Sequence, residues 1–361
     1  DYVDLQANNQ LLDAEVLTPY LLQSYANATA PGAPPELAAM AADPRIGEAI
    51  GRLAEWDFST PTGIDQGFDP GDNPAAPGPP NLPQIDASVS STIYSVWRGQ
   101  VVQRVVDDTL NGLLVPLGGF APGSAQAMTA LRNLLDRYPV NGGTGASLIN
   151  FFEVPGVADQ DVAKDIILLE SLRDGLDLLA SNEFAPAFEN STVLDDYRWG
   201  KLHRIVFAHT LGGPFSVPAA GSPDNVSPEL PGYARAGGMG ALDASAHSAR
   251  ADGLNEFMFG SGPARRFIAT MTPEGPDAVQ VIPGGENANL GSPNRTDQLD
   301  LWLVNRYKPL PVALDDVLAI AVDTEEYECG DGVVGPGEEC DDGNDDNADG
   351  CKDNCNLAPI I

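Results

Sequence analysis

The sequence predicts an α+β protein in which helices come first and strands follow, with a small acidic appendix at the end. Three observations predict it. The first half carries apolar residues at helical spacing. After Trp199 the character changes to short β-branched runs punctuated by Gly and Pro. All four cysteines, Cys329, Cys340, Cys351 and Cys355, crowd into the last 33 residues. Helices and strands that segregate along a chain belong to α+β folds rather than to alternating βαβ units.

The helical half begins with 4–26, where Leu5, Leu12, Val16, Leu17, Tyr20 and Leu21 share a face and Pro19 is expected to kink or split the element. Residues 35–56 read as a further helix with Leu37, Met40, Ile46, Ile50 and Leu53 on one side. The Pro-, Gly- and Asp-rich stretch 59–83 reads as loop. Helical spacing returns over 90–114 (Ile93, Tyr94, Trp97, Val101, Val105), over 125–138 and most sharply over 160–179, with Val162, Ile166, Leu169, Leu172, Leu176 and Leu179. Strand composition marks 205–207, 266–271 and 278–282; 296–306 reads as helix and 317–322 as strand.

The chain has 361 residues, which at ~150 per domain suggests about two domains. It carries 52 acids against 19 bases, a formal charge of −33, and 43% hydrophobic residues. That apolar content supports a sizeable core. The acidity argues against a nucleic-acid partner and an anionic membrane surface. No apolar run is long enough to span a bilayer. The chain opens on Asp1 with no signal-like segment, so it is expected to be a processed product or a fragment. Charge breaks sharply near Glu325: from Asp323 onward stand 13 acids and one base, Lys352. The domains are therefore placed at 1–325 and 326–361. The second is too poor in apolar residues to fold by burial and needs staples. Four cysteines permit three pairings, and zinc is the other reading, although the spacing fits no C-x2-C pattern. Disulfides place the protein outside the reducing cytosol.

Motifs for local chemistry are scarce. There is no G-x-S-x-G elbow, H-E-x-x-H or Walker loop. Gly237, Gly238 and Gly240 read as a tight turn. His203 and His209 flank a strand-like run, where a paired metal site competes with structural hydrogen bonding, and the latter is the expectation. Asp297 and Asp300 read as a solvated helix face.

Several strings stand in a telling order: Trp199-Gly200-Lys201-Leu202-His203; Gly262-Pro263-Ala264-Arg265-Arg266; Pro283-Gly284-Gly285-Glu286-Asn287 running into Ser292-Pro293-Asn294; and Asp297-Gln298 with Trp302. With Leu53-Ala54-Glu55-Trp56-Asp57 and Ile93-Tyr94-Ser95-Val96-Trp97 before them, they resemble the C-terminal half of the β-chain of the penicillin acylase (penicillin amidase) family. Glu286 stands where that family usually has Gln, and Asn294-Arg295 where it has His-Tyr. The resemblance implies an αββα fold of the N-terminal nucleophile hydrolase type. It implies an enzyme that cleaves itself to expose a Ser, whose hydroxyl attacks an amide with its own α-amine as base. The nucleophile, the oxyanion Asn and the family's calcium ligands lie upstream of the matched segment, so no catalytic residue and no catalytic cofactor is assigned here. The implied partners are the upstream part of the same precursor (α-chain and N-terminal β-chain region) and a small amide, such as a β-lactam or an acylated homoserine lactone.

The tail, Cys329-Gly330-Asp331-Gly332, Glu339-Cys340-Asp341-Asp342-Gly343-Asn344 and Asp349-Gly350-Cys351 to Cys355, resembles one myxobacterial cysteine-rich repeat, similar to Notch-type calcium-binding repeats. It implies a periplasmic or extracellular location. Its oxygen-rich spacing nominates Asp341, Asp342, Asn344, Asp345, Asn347 and Asp349 as calcium ligands. The alternative to an acylase part is a secreted, non-catalytic binding protein with a calcium-dependent tail.

Overall fold

A computed structural model describes residues 2–75, 77–114, 122–144, 148–273 and 275–320, together with 339, 340, 343 and 351. Helix α1 (Tyr2–Gln6) is followed by α2 (Leu12–Thr29). The break expected at Pro19 falls instead before Leu12. Pro19 lies on the exposed side of an unbroken α2, where water can serve the carbonyl whose helical partner it lacks, while Ala14, Leu17, Leu21 and Ala28 face the core.

The helix expected over 35–56 is two, α3 (Pro35–Ala41) and α4 (Pro44–Glu55). The interruption has a local cause: Pro44 takes the first turn of α4, and Asp43 caps it by accepting from the Arg45 N–H at 2.9 Å.

Helix α5 (Leu82–Val101) starts earlier than its apolar pattern suggests, because Asn81 and Gln84 form a reciprocal capping box ahead of the buried run. From Ala87 to Gly99 every side chain of α5 is buried. It continues through a π turn at Val102–Asp107 into α6 (Asp108–Leu114), and Asp107 of that turn pairs with Arg250. Helices α7 (Ser124–Asp136), α8 (Tyr138–Asn141) and α9 (Gln160–Leu179) follow. Helix α9 has the predicted bounds; its N-cap Asp159 accepts from the N–H groups of Asp161 and Val162. Gly175 lets α9 approach α5 closely, since a Cβ there would sit 3.1 Å from Val96 Cγ1. Trp97 Nε1 donates to Leu168 O at 3.0 Å across the same seam. The main core lies among α2, α4, α5, α7 and α9.

Beyond α10 (Ala185–Phe188) the chain is largely turns and short strands. Strands β1 (Gly67–Phe68), β2 (Arg204–Ile205) and β3 (Tyr233–Arg235) form one sheet in the order β1-β3-β2. In it β3 runs parallel to β1 and antiparallel to β2, with Ala234 opposite both Gly67 and Arg204. Strands β4 (Arg266–Thr272), β5 (Gly275–Val281) and β6 (Lys308–Leu310) form a second sheet, ordered β4-β5-β6.

The helix expected over 296–306 contracts to α11 (Leu299–Leu303), because Asn305 turns the chain out with a φ of 57°. The strand expected over 317–322 is helical where it is described, as α12 (Leu314–Ile320). Asp315 and Asp316 in its first turn complement the helix dipole, which outweighs the β-branched Val317. The architecture is α+β, helices before strands.

The chain divides into two compact units, Asp1–Ile268 with Val279–Lys308, and Ala269–Ala278 with Pro309–Ile361. The first holds the helical core and a smaller cluster of Ile205, Phe259, Val281, Leu299, Trp302 and Leu303. The second holds α12 and the disulfide Cys340–Cys351. The boundary expected near Glu325 lies outside the described residues. No helix among the described residues is long and apolar enough to cross a membrane.

Candidate functional site

Three of the motif residues, Trp199, His203 and Trp302, join Phe259 in a column of four nearly parallel rings. Trp199 stacks on His203 (centroids 5.2 Å apart, 10° between planes), His203 on Phe259 (5.8 Å, 16°) and Phe259 on Trp302 (5.8 Å, 15°). A 3-10 turn at Trp199–Lys201 delivers the first ring. It is fixed by the Trp199 N–H donating to Ser88 Oγ at 2.8 Å and by Nε1 donating to Gly237 O at 2.7 Å. Gly200 has no room for a side chain, because a Cβ would meet Thr62 and Ile64 at 2.9 Å. Helix α11 delivers Trp302.

The Trp302 end of the column is capped by charge. Arg235 Cζ lies 4.6 Å and Arg266 Cζ 4.7 Å from the Trp302 ring centroid, a double cation–π contact. Both guanidinium groups pair with the single carboxylate of Asp243, at 2.6 and 2.7 Å. Asn305 accepts from Arg235 and donates to Asp243 at 2.9 Å. All four side chains are buried. Burial alone would raise the Asp243 pKa, but Arg235 and Arg266, with the Asn305 hydrogen bond, hold it below the ordinary carboxylate value. Burial lowers the Arg235 pKa.

The histidine chemistry is equally constrained. His203 Nδ1 donates to Phe257 O at 2.9 Å and His247 Nδ1 to Ser248 O at 2.8 Å. A carbonyl can only accept, so both rings are the Nδ1–H tautomer, and neither Nε2 has a protein partner. Desolvation pushes the His203 pKa down to about 4, and that of His247 well below its usual value, Arg98 and His203 adding to the effect. The two rings lie 5.8 Å apart. This centre is a buried keystone in which one carboxylate bridges two guanidinium groups.

The other expected residues go elsewhere. His209 does not join His203; it lies in an open cleft of about 350 Å³, half-walled by Phe207, Phe215 and Val217 and closed by Glu286 and Arg295 from the 283–296 loop. Asp297 and Asp300 are exposed, as a solvated face requires. Gly237 and Gly240 have φ of 113° and 104°, the tight turn expected of them. Among the described residues no group of three or more His, Cys, Asp or Glu side chains is placed to hold a metal ion. The calcium candidates Asp341, Asp342, Asn344, Asp345, Asn347 and Asp349 lie outside the described residues, as do Cys329 and Cys355; Cys340 and Cys351 are bonded to each other. Sequence reasoning missed Arg235, Asp243, His247, Phe259 and Asn305. Their only local signal is the glycine turn that brings Arg235 and Asp243 face to face.

The chain belongs to the penicillin amidase family, whose family model matches residues 1–319. Among solved structures it is similar to a thermostable penicillin G acylase from Alcaligenes faecalis, at 12% identity and a TM-score of 0.46, over 91% of this chain and 48% of that one. The chain thus spans about half the length of that acylase chain.

Proposed function

We propose that this chain is the C-terminal scaffold part of an amidohydrolase of the penicillin acylase type. The reaction is removal of an acyl group from a small amide by an N-terminal Ser that lies upstream in the same precursor. Family membership over residues 1–319 carries the reading. One feature supports the division of labour. Tyr2 and Leu5 of α1 and Phe267 of β4, joined through Gln6 Nε2 donating to Phe267 O, leave apolar side chains exposed for the rest of the precursor to cover. The Cys340–Cys351 disulfide supports a periplasmic or extracellular site of action.

The test is to express the chain alone and joined to the preceding part of its precursor, and to assay both on acyl-amide chromogens. The joined protein should process itself, show Ser at a new N-terminus and turn over substrate, while the isolated chain stays at the buffer rate. Turnover by the isolated chain that survives repurification would overturn the scaffold role. A processed precursor inactive on every amide would overturn the acylase reading.

A further inference from the structure

We propose that the cleft between the 207–217 segment and the 283–296 loop is a binding site for a small carboxylate with an aromatic or branched apolar body. This site is independent of the acylase reading, since it needs no residue upstream of the chain.

The charge pattern is the first argument. In a chain with 52 acids and 19 bases, Arg295 is one of several cations with no carboxylate partner among the described residues, and it is the one that lines this cleft. Its guanidinium donates from Nη2 to Phe215 O. That contact anchors the group against the wall and leaves the rest of its planar fork of donors for an anion, the geometry that suits a carboxylate. The acid in the lining is already committed: Glu286 Oε1 accepts from Gln298 Nε2 at 3.1 Å and from Lys308 Nζ at 3.4 Å.

The second argument is the histidine. The Leu211 N–H donates to His209 Nδ1 at 3.1 Å, so the neutral ring carries its proton on Nε2. His209 therefore offers the cleft a hydrogen-bond donor and no anionic group. Its ring leans on Phe215 with centroids 5.9 Å apart, which holds it in place.

The third argument is the apolar wall. Phe207, Phe215 and Val217 supply one continuous side to a space of about 350 Å³, which lies at the small end of ligand pockets. An ion such as acetate would leave that wall wet. An apolar cation would meet Arg295 at the wrong sign. A carboxylate with a ring or branched chain satisfies both.

Phe207 also packs edge-on against Trp302 at 5.5 Å, giving the site an optical reporter. The experiment titrates the full chain with 3-phenylpropanoate, propanoate and 3-phenylpropan-1-amine, by calorimetry and by tryptophan fluorescence. Only 3-phenylpropanoate should bind saturably, one per chain, with a Kd below about 5 mM, an affinity modest enough for a shallow site. Arg295→Gln should weaken it about tenfold or more, and Phe215→Ala should weaken it while the far-UV spectrum stays that of the parent chain. No saturable binding by 3-phenylpropanoate would overturn the proposal. So would equal binding of the amine, which needs no variant to interpret, or unchanged affinity in a folded Arg295→Gln chain.

Discussion

The Asp243 carboxylate meets the Arg266 guanidinium at 2.7 Å with both side chains buried, and the same carboxylate holds Arg235 at 2.6 Å. One acid thus bridges two cations that sit on Trp302. Removing the acid leaves two buried guanidinium groups uncompensated, the costly way to break a buried ion pair. Asp243→Ala should lose about 3–5 kcal/mol of stability, or fail to fold. Asp243→Asn, which keeps the shape and one acceptor, should lose less. Urea midpoints of the two variants against the parent chain check the order.

The buried histidines give the keystone a pH signature. His203 has its pKa lowered from 6.5 to about 4 by burial, so between those values the unfolded chain binds a proton that the folded chain does not. Stability therefore falls as the pH falls through this window, at ~1.4 kcal/mol per pH unit for one group, or about 3 kcal/mol in all. His247, lowered by burial and by Arg98, acts with the same sign. Asp69 acts against them. Burial raises its pKa from 3.8 to about 6, so there the folded chain holds the extra proton and gains on acidification. Melting temperatures from pH 7 to 4.5 should fall less steeply in His203→Gln than in the parent chain, and more steeply in Asp69→Asn. Parallel curves for all three would contradict the assigned burial.

Two glycines should respond in opposite directions to the same substitution. At Gly262, in the string that leads to Arg266, a Cβ would lie 2.2 Å from the Phe259 ring and 2.4 Å from Ala244 O. Gly262→Ala should cost about 1–3 kcal/mol as it pushes Phe259 out of the ring column. Gly51, in the middle of α4, has nothing within 4 Å of an added Cβ. Gly51→Ala should gain about 0.5–1 kcal/mol from helix propensity. Chemical denaturation of each single variant decides both.

What was legible in the sequence follows the range of the interactions involved. Helix α9 could be bounded because its apolar period and its Asp159 cap lie within a few residues of one another. The Pro19 break failed because whether a proline interrupts a helix depends on which side faces solvent, and that is a tertiary fact. The α12 segment was misread because Val317 and its neighbours have strand composition, while the Asp pair that favours a helix lies just before the run that was read. Trp199, His203, Arg266 and Trp302 were visible as motif residues, yet their common purpose was not. The stack needs Phe259, and the charge balance needs Arg235, Asp243 and Asn305, which come from segments with no pattern of their own.

The acidic tail yields the last prediction. The disulfide Cys340–Cys351 closes a loop whose sequence holds Asp341, Asp342, Asp345, Asp346 and Asp349 beside Asn344 and Asn347. Five carboxylates in one short loop repel one another, and at physiological salt the screening length of ~8 Å is too long to hide neighbours. An open chain relieves such repulsion by spreading, but a loop cross-linked eleven residues apart has little length to spread with. A hard divalent cation relieves it directly, and calcium accepts six to eight oxygens from carboxylates and amides. Extracellular calcium modules bind at ~10⁻⁴–10⁻³ M, so occupancy should follow the medium. Millimolar calcium should therefore lengthen the protease half-life of residues 326–361 in the full chain, and Asp342→Ala should abolish the gain. Reducing the disulfide should abolish it too, because the freed loop can then spread. Intact-mass analysis after alkylation under non-reducing conditions should find no free thiol among Cys329, Cys340, Cys351 and Cys355 in protein purified without reductant. Equal half-lives with calcium and with chelator would leave the segment a disulfide-held acidic turn with no metal to bind.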